Sequence, residues 1–142
     1  MNNISTSQIR DLQGQKILVL EQACGDYWLV CRISQRDAPI CSEEYQLPWP
    51  KLQCQYTFTA KMSERWLRFH SKWIGQITDG ELSAIQSLRF ALDHCKPVPK
   101  ALADKIGPEW SHEWPREALD LFDQIVACEQ REFEEVLEPQ EA

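Results

Sequence analysis

No metal-ligand cluster, phosphate-cradling loop or nucleophile motif stands out anywhere in this chain. Six cysteines (Cys24, Cys31, Cys41, Cys54, Cys95, Cys128) are too widely spaced for a paired Cys-x-x-Cys zinc site, and His70, His94 and His112 add no metal spacing, so neither metal nor cofactor is expected. A chain of this size with six tryptophans can build a core without staples, and the cysteines read as reduced small hydrophobes. No apolar run approaches the roughly 18 to 20 residues that span a bilayer, which excludes a membrane helix. The amino terminus lacks a basic stretch followed by an apolar one, which leads us to expect a cytoplasmic protein.

What is present is globular: 142 residues, 43% hydrophobic and 26% charged, enough for one domain over 1–142. The net charge of −7 is unevenly spread. Residues 1–108 hold 13 Lys/Arg against 11 Asp/Glu, whereas 109–142 hold 2 against 11, so the tail supplies the acidity. Most of that tail reads as a helix, with Pro115 at its start and Leu119, Phe122, Val126, Phe133 and Leu137 as an apolar stripe. Its carboxylate-rich face is either simply solvated or electrostatic in purpose. In the second case it binds a basic partner or lies over the chain's own basic patch.

Thr78 followed by Glu81 is a capping box, and Leu82, Ile85, Leu88 and Leu92 continue as one helical stripe up to His94-Cys95-Lys96. Upstream, 16–21 and 27–33 are apolar runs of strand length joined through Ala23-Cys24-Gly25-Asp26, a hairpin pattern. A short edge strand is expected at 45–47. Residues 52–60 alternate with a period of two, a half-buried strand with an uncharged polar face. Ser63 caps a short helix to His70, and 69–77 returns to strand. Residues 1–13 read as a polar, frayed or short helical lead-in and 100–106 as a short helix stopped by Gly107-Pro108. The fold class is α+β: a β-rich part over 14–78, forming a small strongly bent sheet or barrel, then a helical part over 79–137 on one side of it. That part ends in the long acidic helix, with a disordered tail at 138–142.

Lys61, Arg65, Arg68 and Lys72 interleave with Trp66, Phe69 and Trp73. Cations that neutralise phosphates beside aromatics that stack on bases suit single-stranded nucleic acid. The same aromatics stand at three- and four-residue spacing, which equally lets them face the core and leaves the cations solvated. Trp49 between Pro48 and Pro50 is either a rigid anchor for a partner or a plug at the barrel end.

The run Ile74-Gly75-Gln76-Ile77-Thr78-Asp79-Gly80-Glu81-Leu82, with Ala84-Ile85 after it, resembles the carboxyl-terminal end of PemK/MazF-type toxins. Ile17 to Leu20 and Trp28 to Ser34 resemble that family's two core strands, and the resemblance covers about residues 14–92. It implies an SH3-like barrel that dimerises and, in active members, cleaves single-stranded RNA without a metal. Activity there relies on an arginine before the first strand and a hydroxyl ending the second. Here those positions are Gln15 and Ser34, and a neutral amide stabilises phosphoryl charge far less than a guanidinium.

By alternation Arg32, Ser34 and Arg36 project near one another at a strand end. Ser34 would donate to a scissile phosphate, Arg32 or Arg36 would replace the missing guanidinium, and His70 would shuttle a proton. A lone histidine is more often structural. Loss of the arginine position and an acidic pI favour a non-catalytic binding or regulatory module, with a protein partner, a second copy or single-stranded RNA bound. An active toxin-type endoribonuclease and a structural subunit of a larger assembly are the alternatives.

Overall fold

A computed structural model describes residues 3–108 and 114–139. Six strands, β1 (Gln8–Leu12), β2 (Gln15–Gln22), β3 (Tyr27–Gln35), β4 (Glu44–Gln46), β5 (Leu52–Ser63) and β6 (Ser71–Gln76), form one antiparallel sheet in the order β4-β5-β3-β2-β1-β6. The sheet is not closed: β4 and β6 are its two edges. Helices α1 (Glu64–His70), α2 (Asp79–Asp93) and α3 (Arg116–Glu134) and a 3-10 turn at Lys100–Lys105 complete the described structure.

The expected polar lead-in is instead partly strand. Leu12 pairs with Gln15, and the two residues between them, Gln13 (φ 51°) and Gly14 (φ 94°), both have positive φ. Such a turn matches the right-handed twist of its flanking strands, and Asp11 Oδ1 accepts the Gly14 N–H at 2.8 Å. The β-rich part therefore begins before residue 14.

Strand register separates the buried side chains into two sets. Ile9, Leu18, Cys31, Ile33, Cys54 and Tyr56 pack with Ile85 and Leu88 of α2. Leu12, Ile17, Val19, Val30 and Met62 pack with Leu67 of α1, Phe133 of α3 and Val136. Helices thus cover both faces of the sheet rather than one, because inward positions on both pleat faces are apolar and each requires a cover.

Caps fix the helix starts. The Ser63 hydroxyl accepts the Trp66 N–H and the Thr78 hydroxyl accepts the Glu81 N–H, each at 3.1 Å. The box at Thr78 is not reciprocal: the Glu81 carboxylate takes the Tyr45 hydroxyl and Lys105 Nζ, tying α2 to β4 and to the 3-10 turn. Gly107 closes that turn against the β4 edge. Its N–H donates to Glu44 O at 3.1 Å, and a Cβ at this position would lie 1.8 Å from Cys41 O. All six cysteines are free thiols, with Cys31 and Cys54 Sγ 3.3 Å apart in the core. At the expected tail, Glu138 accepts both the Ser63 N–H (2.8 Å) and its hydroxyl (2.9 Å), while 140–142 lie outside the described residues.

Candidate functional site

The end of β3 carries Arg32 and Ser34 on the face that α3 covers. Opposite Arg32 stands Gln55 of β5, and opposite Gln55 stands Glu44 of β4, so pairing alone lines up a cation, an amide and a carboxylate across three strands. Between Cys31 and Arg32 the register with β5 jumps from Thr59 to Gln55, leaving Tyr56, Thr57 and Phe58 without partners on β3. This three-residue bulge interrupts the ladder and bends β5 locally. The Phe58 ring sits 5.6 Å from the Arg32 guanidinium carbon and meets Phe133 edge-on at 5.2 Å.

Arg36 organises the cluster. Its two terminal nitrogens grip the Glu44 carboxylate, with Nη1 to Oε1 at 2.7 Å, and its Nε donates to Ser34 Oγ at 2.9 Å. Glu44 also accepts the Ile40 N–H (2.8 Å) and Gln55 Nε2 (2.9 Å), while Gln55 Oε1 accepts Arg32 Nε. Gln53 Nε2 donates to the Arg36 carbonyl at 2.9 Å. Of the uncharged polar face expected for β5, Gln53 and Gln55 are buried and hold the two arginines, whereas Thr57 is exposed and Thr59 half-buried.

From α3, Glu129 enters this cluster. Its Oε2 accepts the Ser34 hydroxyl, and its Oε1 lies 3.1 Å from Arg36 Nη2 and 3.9 Å from Arg32 Nη2. The result is two cations against two carboxylates. The balance is uneven in detail: Arg32 is 1% exposed, yet neither of its Nη atoms has a hydrogen-bond partner among the described residues, and neither does Glu129 Oε1. Burial lowers the pKa of Arg32, with Glu129 offsetting this and Arg36 adding to it. Burial also works against charged Arg36, but Glu44 and Glu129 outweigh it and raise its pKa. Beside Arg32 a cavity of about 170 Å³ is lined by Gly14, Gln15, Lys16, Ser34, Glu129 and Glu132, among others. Gln15 and Ser34 thus line one cavity.

Chemically, a hydroxyl and two guanidinium groups converge on one partly exposed carboxylate, an arrangement that favours an anion.

His70 is not joined to it. Its Nδ1 is 2.9 Å from Gln13 Nε2 and its ring lies 3.9 Å from that of Trp66, rather than against Arg32 or Ser34. The basic segment is spread out. Lys61, Arg65, Arg68 and Lys72 are exposed; Arg68 pairs with Glu64 at 3.4 Å and Arg65 lies over Phe69. Its aromatics do not all face the core: Phe69 is 76% and Trp73 49% exposed, while Leu67 makes the core contact. Trp66 is half-buried and donates Nε1–H to Val136 O at 3.2 Å. Trp49 is half-buried against the α2-side core near Gly75, and the open sheet has no barrel end for it to plug. Among the described residues no group of His, Cys, Asp or Glu is arranged to hold a metal, and no helix is long and apolar enough to cross a membrane.

Sequence reasoning did not single out Glu44, Gln53, Gln55, Phe58 or Glu129. A usable signal existed for two of these: glutamines alternating along a strand otherwise rich in core residues mark buried polar partners. Comparison with family models, with curated proteins and with solved structures finds no match.

Proposed function

We propose that this chain is a non-catalytic binding module, a PemK/MazF-like sheet whose Arg32–Ser34–Arg36 cleft receives a carboxylate from an acidic segment of a protein partner. One observation carries the reading: a helix-borne carboxylate, Glu129, already sits on all three residues. The cleft is therefore shaped to accept an acidic side chain presented by a helix. Three features argue against cleavage of RNA at this site. Gln15 stands at the family's arginine position, a carboxylate occupies the place a phosphate would take, and His70 is engaged elsewhere.

The test is an NMR titration of the full chain with oligoglutamate and, separately, with mixed-sequence single-stranded RNA. The Nε–Hε signals of Arg32 and Arg36 move with oligoglutamate and stay still with RNA. Movement of these signals with RNA alone, or RNA cleavage in EDTA that is lost in Ser34→Ala, contradicts the reading.

A further inference from the structure

The two ends of α3 are held very differently. At its carboxyl end Phe133 is fully buried, Val136 follows it into the core, Trp66 Nε1 donates to Val136 O, and Glu138 takes both polar atoms of Ser63. Toward its amino end Leu121 is 59% and Ile125 39% exposed. Phe122 and Val126 are only half-buried and face Cys41 to Glu43 across a cavity of about 370 Å³. Phe122 meets the Trp114 ring edge-on at 6.5 Å, and among the described residues the amino-terminal half leaves the space between it and Cys41 to Glu43 unfilled. Glu129 lies at the boundary between the loose half and the pinned end.

Glu129 also fits its site incompletely. Both Arg32 Nη atoms and one carboxylate oxygen are left without hydrogen bonds, so the nearly fully buried Arg32 presents unused donors toward the cleft. A buried donor left unmade is costly, and a ligand that reaches it gains over one that does not. The small cavity walled by Gly14, Gln15 and Lys16 gives such a ligand room next to Glu129.

From these observations we infer that α3 is an intramolecular occupant of the cleft. Glu129 holds the place that a carboxylate of the partner's acidic segment takes, and the partner binds by displacing the loose amino-terminal half of α3 as far as Glu129, with Phe133 and Val136 remaining as the anchor. This rests on the binding function proposed above and adds its regulation. A ligand that binds only the displaced state shifts the helix by its differential affinity, and weakening the internal contact must strengthen the external one by the same coupling. Removing the whole tail after Gly107 is unsuited as a test because Phe133 and Val136 belong to the core.

The experiment measures anisotropy of fluorescein-labelled oligoglutamate titrated with the full chain as wild type, Glu129→Gln and Glu129→Asp. Gln keeps the acceptor for Ser34 but drops the charge; Asp keeps the charge but shortens the reach. Both variants are expected to bind about 10-fold more tightly than wild type, within the usual range of such couplings. Equal affinity of all three proteins overturns the displacement and leaves the ligand class standing. No binding by any of them overturns both, and tighter binding of RNA by the variants replaces the acidic partner with a nucleic acid. Hydrogen exchange on the wild type, which needs no variant to fold, gives an independent reading: bound oligoglutamate must speed exchange in α3 before Glu129.

Discussion

The Ser34 hydroxyl, at the end of β3, donates its hydrogen bond to the carboxylate of Glu129, 95 residues further along the chain. With the ion pairs from Arg36 and Arg32 to the same carboxylate, this contact joins the end of β3 to α3. A hydrogen bond to a charged acceptor is worth about 1.5 to 3 kcal/mol, and Glu129 is partly exposed, so the lower figure applies. Ser34→Ala is expected to destabilise the fold by about 1.5 kcal/mol, read by urea unfolding followed through tryptophan fluorescence.

Glu44 is 1% exposed and carries Arg36, Gln55 and the Ile40 N–H. Glu44→Ala strips the half-buried Arg36 of its closest partner, a change expected at the lower end of the range for a broken buried pair, about 3 kcal/mol. The same unfolding measurement must give a loss well above that of Ser34→Ala. A loss similar to that of Ser34→Ala would mean that Glu129 alone neutralises Arg36.

The halves of α3 must respond differently to truncation of side chains. Phe133→Ala removes a fully buried ring and is expected to cost about 3 to 5 kcal/mol. Leu121→Ala, on the exposed face, is expected within about 0.5 kcal/mol of wild type. Gly107→Ala adds a Cβ that meets the Cys41 carbonyl, a backbone atom that cannot rotate away, and is expected to cost about 1 to 3 kcal/mol.

These residues also show what the sequence could and could not reveal. The caps at Ser63 and Thr78 and the strands at 16–21, 27–33 and 52–60 follow local rules, spacing and hydroxyl placement, and the structure contains each. β1 was opaque because its five residues, Gln-Ile-Arg-Asp-Leu, bury an arginine. Arg10 is completely buried, with its Nε on Ser71 Oγ at 2.8 Å, and that partner lies 61 residues away. Nothing local announces such a bond. Alternation placed Arg32, Ser34 and Arg36 together, but their counter-charges come from β4 and α3, and charge pairing at that separation leaves no periodic trace. The Glu81 side chain failed the local rule for a related reason: Tyr45 and Lys105, both remote, outcompete the Thr78 N–H.

Glu81 links the fold to pH. Its burial raises the carboxyl pKa, but the bonds from Lys105 and Tyr45 outweigh this and hold it below its ordinary value of 4.5. A carboxyl depressed in the folded state stabilises that state above the unfolded pKa and loses this contribution as pH falls through the folded one. The stability difference between wild type and Glu81→Gln is therefore expected to be full at neutral pH and to shrink below about pH 4, as unfolding at a series of pH values would show.

The central claim, that α3 occupies a cleft built for a partner's carboxylate, is tested most directly by hydrogen exchange on the wild-type chain with and without saturating oligoglutamate. Faster exchange of the α3 amides from Leu119 to Cys128, before Glu129, with those of Val136 and Leu137 unchanged, is the result the account requires. Unchanged or slower exchange along the whole helix while oligoglutamate is bound would contradict it.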